Sequence, residues 1–211
     1  IGSSSEPTLQ SILEAQCPGC FDVNTDQNGA GYWHLETAPP TGIFPIVVVE
    51  FAGWAPNNIV GIFSGDPVHR DVFLGAAAGG ASAGILWTGP SSGVIVQVSG
   101  ADGAVATGPF TGISYLGFGF YLRPNGSQNT YYYTVDDLNP DGAPQVLTFR
   151  KTGSNTWFLA FEDQLVGGGA DRDYNDFVMK VESIVPVPEP AAILLVGSVL
   201  LLVGRRLRAR A

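Results

Sequence analysis

Residues 161–177 have the sequence FEDQLVGGGADRDYNDF, and the rest of the chain is organised around this stretch. Five carboxylates and the amide of Asn175 lie on both sides of a glycine run, with the carboxylates at Glu162, Asp163, Asp171, Asp173 and Asp176. Glycine lets the backbone fold such side chains toward one another. Ca²⁺ takes about six to eight oxygen ligands in irregular geometry, so these side chains suit it. The stretch therefore predicts a calcium site, and the alternative is a solvated acidic turn.

Apolar segments on both sides of this loop predict that it joins two β-strands. Residues 156–161 and 176–184 are rich in β-branched and aromatic side chains, as are residues 43–51 and 59–63. Other short segments of this kind follow one another with Gly, Pro, Asn and Asp between them, and no long helical segment separates them. This pattern predicts an all-β fold, an antiparallel β-sandwich or a jelly-roll-like domain.

The first residues predict one short amphipathic helix over about residues 6–16. Ser5 is the expected cap, and Pro7 would lie in the first turn. Leu9 and Ile12 have the spacing of one apolar helix face. The chain begins with Ile1, and we expect that an N-terminal segment has been removed before it, for which a secretion signal is the candidate.

Cys17 and Cys20 follow this helix as Cys-Pro-Gly-Cys. In an exported chain we expect them to form a local disulfide. A redox pair is the first alternative, but the flanking sequence lacks the βαβ pattern of such motifs. Zinc is the second alternative and would need two further ligands, whereas His34 and His69 are isolated.

The charge of the chain argues against nucleic acid as a partner. The formal net charge is -9 at pH 7. Four arginines lie within the last seven residues, so the remainder is more acidic than the total indicates. Phosphate binding requires a Lys/Arg surface, so cations or neutral sugars are the more plausible ligands.

A second acidic stretch, residues 22–28, places oxygen-bearing side chains at alternate positions like the first half of an EF-hand loop. Gln27 takes the place of the required glycine, and Trp33 takes that of the bidentate glutamate. We expect a turn held by Asx hydrogen bonds, with a second calcium site as the alternative. The loop at Asp171 fails the same test because Asp176 replaces the glycine, so calcium there would be held by a loop between strands.

The C-terminal segment has three parts. Residues 185–190, VPVPEP, predict a stiff extended linker. Residues 191–203 carry no charge and predict a hydrophobic helix, although a spanning helix needs about 20 residues. The arginines that follow predict that this end stays on the cytoplasmic side of a membrane. A buried core helix is the alternative.

These three parts in this order resemble the PEP-CTERM sorting signal of bacterial exported proteins. The motif residues are Pro188, Glu189, Pro190, Arg205, Arg206 and Arg208. The resemblance implies an exosortase-type membrane protease as a transient partner. It also implies export to the cell surface or beyond, after transient anchoring in the inner membrane with a cytoplasmic C-terminus.

The body of the chain resembles a family of domains of unknown function that is frequent among such exported proteins. The resemblance is carried by FED at 161–163 and DRDYND at 171–176, with VNTDQ at 23–27. It implies a β-rich domain with an acidic site. The expected organisation is a secreted β-sandwich over residues 1–184, the linker, and a sorting tail over residues 191–211.

These features predict an exported, non-enzymatic protein of the cell surface or extracellular matrix, with a β-sandwich stabilised by Ca²⁺. One alternative is a carbohydrate-binding module of a biofilm matrix that binds exopolysaccharide through aromatic rings, and core packing of those rings is the competing interpretation. The candidate rings are Trp33, Trp54, Trp87, Trp157, Tyr131, Tyr132 and Tyr133. A self-assembling filament subunit is another alternative. A glycosidase using Glu162 and an aspartate is disfavoured, because the sequence indicates no substrate cleft and no supported nucleophile.

Overall fold

The computed structural model describes residues 6–50, 57–65, 68–75, 77, 79–127, 129–166, 168 and 170–188. Within these ranges one α-helix, α1 (Leu9–Gln16), precedes fourteen strands. The strands are β1 (Trp33–Leu35), β2 (Thr41–Ile43), β3 (Ile46–Glu50), β4 (Ile59–Ser64), β5 (Val68–Phe73), β6 (Ser82–Gly89), β7 (Ser92–Ser99), β8 (Gly108–Thr111), β9 (Gly119–Arg123), β10 (Tyr132–Tyr133), β11 (Val146–Arg150), β12 (Thr156–Phe161), β13 (Phe177–Glu182) and β14 (Ile184–Pro186). Single 3₁₀ turns occupy Pro124–Gly126, Asp136–Leu138 and Pro140–Gly142.

The strands form two main sheets and one small ribbon. The larger sheet has the order β11-β12-β13-β3-β6-β7-β8, with β2 also paired to β6. The smaller sheet has the order β10-β9-β4-β5, and β1 pairs with β14. All of these pairings are antiparallel. The prediction of an all-β antiparallel fold is confirmed.

The core lies between the two main sheets. Phe120 and Leu122, alternate residues of β9, belong to one buried cluster with Leu159 of β12 and Met179 of β13. Successive side chains of a strand point to opposite faces, so each sheet contributes one apolar face to this cluster. The sheets therefore pack face to face in a sandwich-like arrangement. Each large apolar side chain buried there contributes about 1.5–3 kcal/mol to folding.

Helix α1 covers the outer face of the larger sheet. Leu9, Ile12 and Leu13 pack in a second buried cluster with Phe158 of β12 and Val178 of β13. Those two strand residues alternate with the ones that face the main core, so β12 and β13 are covered on both faces. This double coverage explains why both strands are almost continuously apolar.

The start of α1 differs from the prediction. Thr8 is the cap, and its Oγ1 accepts a hydrogen bond of 3.3 Å from the backbone N–H of Ser11. Pro7 therefore lies before the helix instead of in its first turn, and the expected cap, Ser5, lies outside the described residues. Thr8 replaces it because a cap must sit immediately before the first helical residue.

The segment after α1 is closed by local bonds. The sulfurs of Cys17 and Cys20 are bonded to each other. In the turn that follows, Asp22 Oδ1 accepts from the N–H of Asn24 at 2.9 Å, and Asp26 Oδ2 accepts from the N–H of Asp22 at 2.7 Å. These are the Asx hydrogen bonds expected for residues 22–28.

Two predicted strands are each divided in the structure. Residues 43–51 contribute to both β2 and β3, because Pro45 has no N–H to donate to a strand ladder. Residues 176–184 contribute to β13 and β14, which are separated by Ser183 in a left-handed conformation with φ 66°. The pairing of β14 with β1 extends through Pro186, into the segment predicted to be a linker.

The predicted sorting tail lies almost entirely outside the described residues. Pro188 is the last residue that the structure describes, and the motif residues beyond it are Glu189, Pro190, Arg205, Arg206 and Arg208. In the described ranges, no helix has the length and apolar character needed to cross a membrane.

Candidate metal centre

The acidic loop of residues 162–176 joins two neighbouring strands of the larger sheet. β12 ends at Phe161 and β13 begins at Phe177, and these two residues are paired across the strands. The pairing holds the two ends of the loop together. Glu162 and Asp176, the first and last residues of the loop, are therefore brought side by side by the sheet.

All five carboxylates of the loop converge. One oxygen each from Glu162, Asp171 and Asp173 lie within 4.8 Å of one another, and the same holds for Glu162, Asp163 and Asp176. Glu162 belongs to both groups. These distances match the spacing of oxygens around one cation, since two ligands each about 2.3–2.6 Å from a calcium ion are at most about 5 Å apart.

Two hydrogen bonds hold Asn175 in the loop. Its side-chain N–H donates to the carbonyl oxygen of Pro7 at 3.0 Å, which ties the loop to the residues before α1. Its backbone N–H donates to Asp173 Oδ1 at 3.4 Å. The side chain is 1% exposed, and its Oδ1 has no hydrogen-bond partner among the described residues.

Hydrogen bonds orient the carboxylates at the strand ends. Asp176 Oδ2 accepts from the N–H of Asp163 at 2.8 Å. The side-chain amide of Asn58 donates to Asp163 Oδ2 at 3.1 Å, and its own Oδ1 accepts from the N–H of Asn125 at 3.0 Å. Asn58 is 2% exposed and precedes β4 of the smaller sheet, so this chain of bonds links the site to both sheets.

Gln145 shapes the first half of the loop. Its Oε1 accepts from the N–H of Val166 at 2.8 Å, and its Nε2 donates to the carbonyl of Gln164 at 2.9 Å. Its own carbonyl accepts from the N–H of Glu162 at 3.0 Å. Gln145 is fully buried, and its two side-chain contacts and one backbone contact fix the path of the chain after β12.

The second half of the loop contains two residues in a left-handed conformation. Arg172 has φ 60° and Tyr174 has φ 52°. Each such non-glycine residue costs about 1–3 kcal/mol, so neighbouring contacts must compensate. Tyr174 supplies one compensation, because its ring packs in the cluster beneath α1 and its hydroxyl donates to the carbonyl of Pro144 at 2.8 Å.

The carboxylates of this loop have no cationic partner in the described part of the chain. The ion pairs there join Arg123 to Asp71 and Lys180 to Glu182. Arg172 lies within the loop, but its guanidinium is exposed and donates to the carbonyl of Val166 at 3.2 Å. The negative charge of the cluster is therefore uncompensated by protein side chains.

Burial raises the pKa of most of these acids. Glu162, Asp163 and Asp173 are 1%, 2% and 8% exposed. Desolvation is the main cause of the raised pKa of all three and of Asp176. Glu162 and Asp176 share a hydrogen bond when one of them is protonated. Protonation and cation binding are thus alternative ways to relieve the same repulsion.

Glu50 is a further acid of this region that the sequence analysis missed. It ends β3, and it is paired with Phe177 at the start of β13. Burial, with the charge of Asp163 as a second cause, raises the pKa of Glu50 to about 8. Its Oε1 is buried without a hydrogen-bond partner in the described ranges. The sequence feature that could have revealed Glu50 is its position as the one acid at the end of the apolar run IVVVE.

The aromatic residues considered for sugar binding divide between two places. Trp33, Trp87 and Trp157 are fully buried in the main core, and Tyr132 joins them. The outer face of the smaller sheet carries a different cluster that contains Phe63, Tyr121 and Tyr133, with Tyr131 packed against it. Trp54 lies outside the described residues. The core interpretation thus holds for the three tryptophans that are described.

The fold and the loop together define an antiparallel β domain with a carboxylate-rich loop between adjacent strands. Residues 116–184 match the model of a domain of unknown function, DUF4114. The match includes β9 to β13 and all of the acidic loop. It agrees with the expected resemblance to a domain of unknown function and does not extend to the segment predicted to be a sorting tail. Neither a curated protein nor a solved structure matches the chain.

The calcium-free protein should lose stability as the pH rises. A carboxyl group whose pKa is higher in the folded state than in the unfolded state stabilises the fold only while it stays protonated. For Glu50 this stability is lost between the usual value of about 4.3 and the raised value of about 8. We expect the Tm in EDTA to fall between pH 5 and pH 9, and the fall to be smaller in Glu50→Gln.

Thermal unfolding followed by circular dichroism at several pH values measures this effect. Glu14→Gln is the matched control, because Glu14 is exposed and far from the loop in sequence. A Tm in EDTA that stays constant or rises over this pH range would contradict the expectation. An equal pH dependence in Glu50→Gln and Glu14→Gln would contradict the role of Glu50.

Proposed function

We propose that this protein is an exported, non-enzymatic component of the bacterial cell surface or extracellular matrix. Its β-sandwich, a jelly-roll-like domain, is stabilised by Ca²⁺ bound in the loop between β12 and β13. The ligands are carboxylate oxygens of Glu162, Asp163, Asp171, Asp173 and Asp176. Asn175 either adds an amide oxygen to this set or stabilises the loop through its hydrogen bonds.

One observation carries the calcium part of this proposal. Glu162 and Asp173 are almost completely buried, and one oxygen of each has no hydrogen-bond partner in the described part of the chain. A buried carboxylate without a partner is costly, because it loses hydration and gains nothing in return. A hard cation supplies the missing partner, and a set made only of oxygens favours Ca²⁺ or Mg²⁺ over softer metals. The irregular loop favours Ca²⁺, because Mg²⁺ requires near-ideal octahedral geometry.

Calcium should stabilise the full chain, and Asp173→Ala should remove much of this effect. Extracellular calcium modules have dissociation constants of about 0.1–1 mM. At 10 mM calcium, linkage then predicts a gain of about 1.4–2.7 kcal/mol. For a domain of this size the gain corresponds to a rise in Tm of roughly 3–11 °C. Thermal unfolding in EDTA and in 10 mM calcium measures the shift.

Asp102→Ala is the matched control for Asp173→Ala, because Asp102 is exposed in a turn between β7 and β8. It should keep the full calcium shift. Magnesium at the same concentration should give a smaller shift than calcium. If calcium leaves the Tm of the unmodified protein unchanged, the proposed role of the loop is wrong.

The export part of the proposal rests on the tail motif. Its Pro-Glu-Pro sequence, apolar segment and arginine cluster occur in the order of a PEP-CTERM signal. We propose an exosortase-type protease as the transient partner and the inner membrane as the transient site of anchoring. The cytoplasmic arginines would keep the acidic domain on the outside of that membrane.

Changing Pro188 and Glu189 to alanine should stop processing of the tail. In a bacterium that has an exosortase-type protease, we expect the variant to accumulate in the membrane fraction and the unmodified protein to reach the surface. Immunoblots of cell fractions measure the distribution. The same strain without the protease is the control, and it should retain the unmodified protein in the membrane. Equal surface delivery of both proteins would contradict this part.

Carbohydrate binding is a second candidate function, favoured by the outer face of the smaller sheet. Tyr131 stacks on His69 with ring centroids 4.1 Å apart, and the His69 imidazole lies 2.9 Å from the hydroxyl of Tyr133. Next to these rings, Arg123 and Asp71 form an ion pair of 2.9 Å. Aromatic rings beside hydrogen-bonding groups are a surface that a sugar ring can stack on.

Replacing Tyr131 with alanine should abolish any glycan binding at this face. Binding of the purified protein to a glycan array, with and without calcium, provides the measurement. Leu116→Ala is the control, because Leu116 is 62% exposed and lies outside this cluster. Glycan binding that survives Tyr131→Ala, or no glycan binding by the unmodified protein, would contradict this candidate.

A further inference from the structure

The acidic loop contains two possible cation positions. The first group of ligand oxygens comes from Glu162, Asp171 and Asp173, and the second comes from Glu162, Asp163 and Asp176. Within each group the oxygens are close enough to surround one calcium ion. The five carboxylates do not form one group at this spacing in the described part of the chain. Each group therefore marks a separate candidate position, and Glu162 belongs to both.

The two groups come from different structural elements. Asp163 and Asp176 lie at the paired ends of β12 and β13, where the backbone N–H of Asp163 is bonded to Asp176. Asp171 and Asp173 lie in the later half of the loop, on either side of Arg172 in its left-handed conformation. One position thus lies beside the strand ends, and the other lies in the later half of the loop.

Unpartnered buried oxygens supply an independent observation. Oε2 of Glu162 and Oδ2 of Asp173 lack hydrogen-bond partners among the described residues. Glu162 is 1% exposed and Asp173 is 8% exposed. Glu162 Oε1 accepts a long bond of 3.4 Å from the N–H of Gln164. The Glu162 carboxylate therefore has an oxygen available to a metal ion.

The charge of the cluster also exceeds what one ion compensates. Five carboxylates carry five negative charges when ionised. Within the described ranges no Lys, Arg or His forms an ion pair with any of them. One calcium ion supplies two positive charges and leaves most of this repulsion in a buried region. Two ions leave a small residual charge.

We propose that the loop binds two calcium ions, which share the carboxylate of Glu162. The first ion, the strand ion, is held by Glu162, Asp163 and Asp176 at the ends of β12 and β13. The second ion, the loop ion, is held by Glu162, Asp171 and Asp173. This inference rests on the proposed calcium function and adds the number of ions, their separate ligands and the bridging residue.

Calcium stoichiometry of the full chain tests the proposal. The protein is freed of metal with a chelator, exchanged into chelator-free buffer and titrated with calcium chloride by isothermal calorimetry, and native mass spectrometry counts the ions. We expect two ions per chain for the unmodified protein. Asp171→Asn should retain only the strand ion, and Asp163→Asn should retain only the loop ion. Asp171 is exposed, so its variant should fold normally.

Glu162→Gln tests the sharing. It should weaken both binding events at least tenfold, whereas Glu14→Gln should leave both unchanged. A weakening of only one event would overturn the bridging role. Asp102→Asn is the control for the aspartate variants and should bind two ions.

The outcomes separate this inference from the proposed function. One calcium ion per chain in the unmodified protein would overturn the two-ion arrangement and leave the calcium function intact. No bound calcium would overturn both. Two ions in Asp171→Asn or in Asp163→Asn would overturn the assignment of ligands.

Discussion

The structure of the acidic loop depends on one constraint, the repulsion among buried carboxylates between the end of β12 and the start of β13. Two like charges about 4 Å apart repel by about 4 kcal/mol at the effective dielectric constant typical near a protein surface. Glu162 has such neighbours on two sides. A single repulsion of this size is comparable to the whole stability of a small domain. The loop can therefore keep its geometry only when protons or cations occupy it.

The fold holds these acids in place through contacts that are independent of any ion. Gln145 fixes the chain after β12, and Asn58 anchors Asp163 from the smaller sheet. Tyr174 packs beneath α1, and Asn175 is bonded to Pro7. Both sheets and the N-terminal residues thus contribute to one loop. These contacts are consistent with a preformed ligand set, in which the proposed ion would replace protons without rearranging the chain.

The sequence predicted the all-β fold and the loop that carries the carboxylates, but it did not predict the contacts around that loop. The five loop carboxylates were found because they are close in sequence, and the strands on either side were evident from their apolar runs. Glu50, Asn58 and Gln145 were missed, because they come from three separate segments and only strand pairing brings them to the loop. The strand ends were less predictable, since the break at Ser183 depends on a local left-handed backbone that no residue type signals.

The proposed export and the proposed chemistry of the loop support each other. A cluster of acids with raised pKa values is tolerable without metal only while its carboxyl groups are protonated. Inside the cell, where free calcium is scarce, the loop would carry uncompensated charge at neutral pH. Outside the cell, millimolar calcium would be enough to occupy a site with the modest affinity of extracellular calcium modules. Export through a tail of the PEP-CTERM kind would then deliver the domain to a compartment where the acidic loop can bind calcium. The domain would reach its full stability only after secretion.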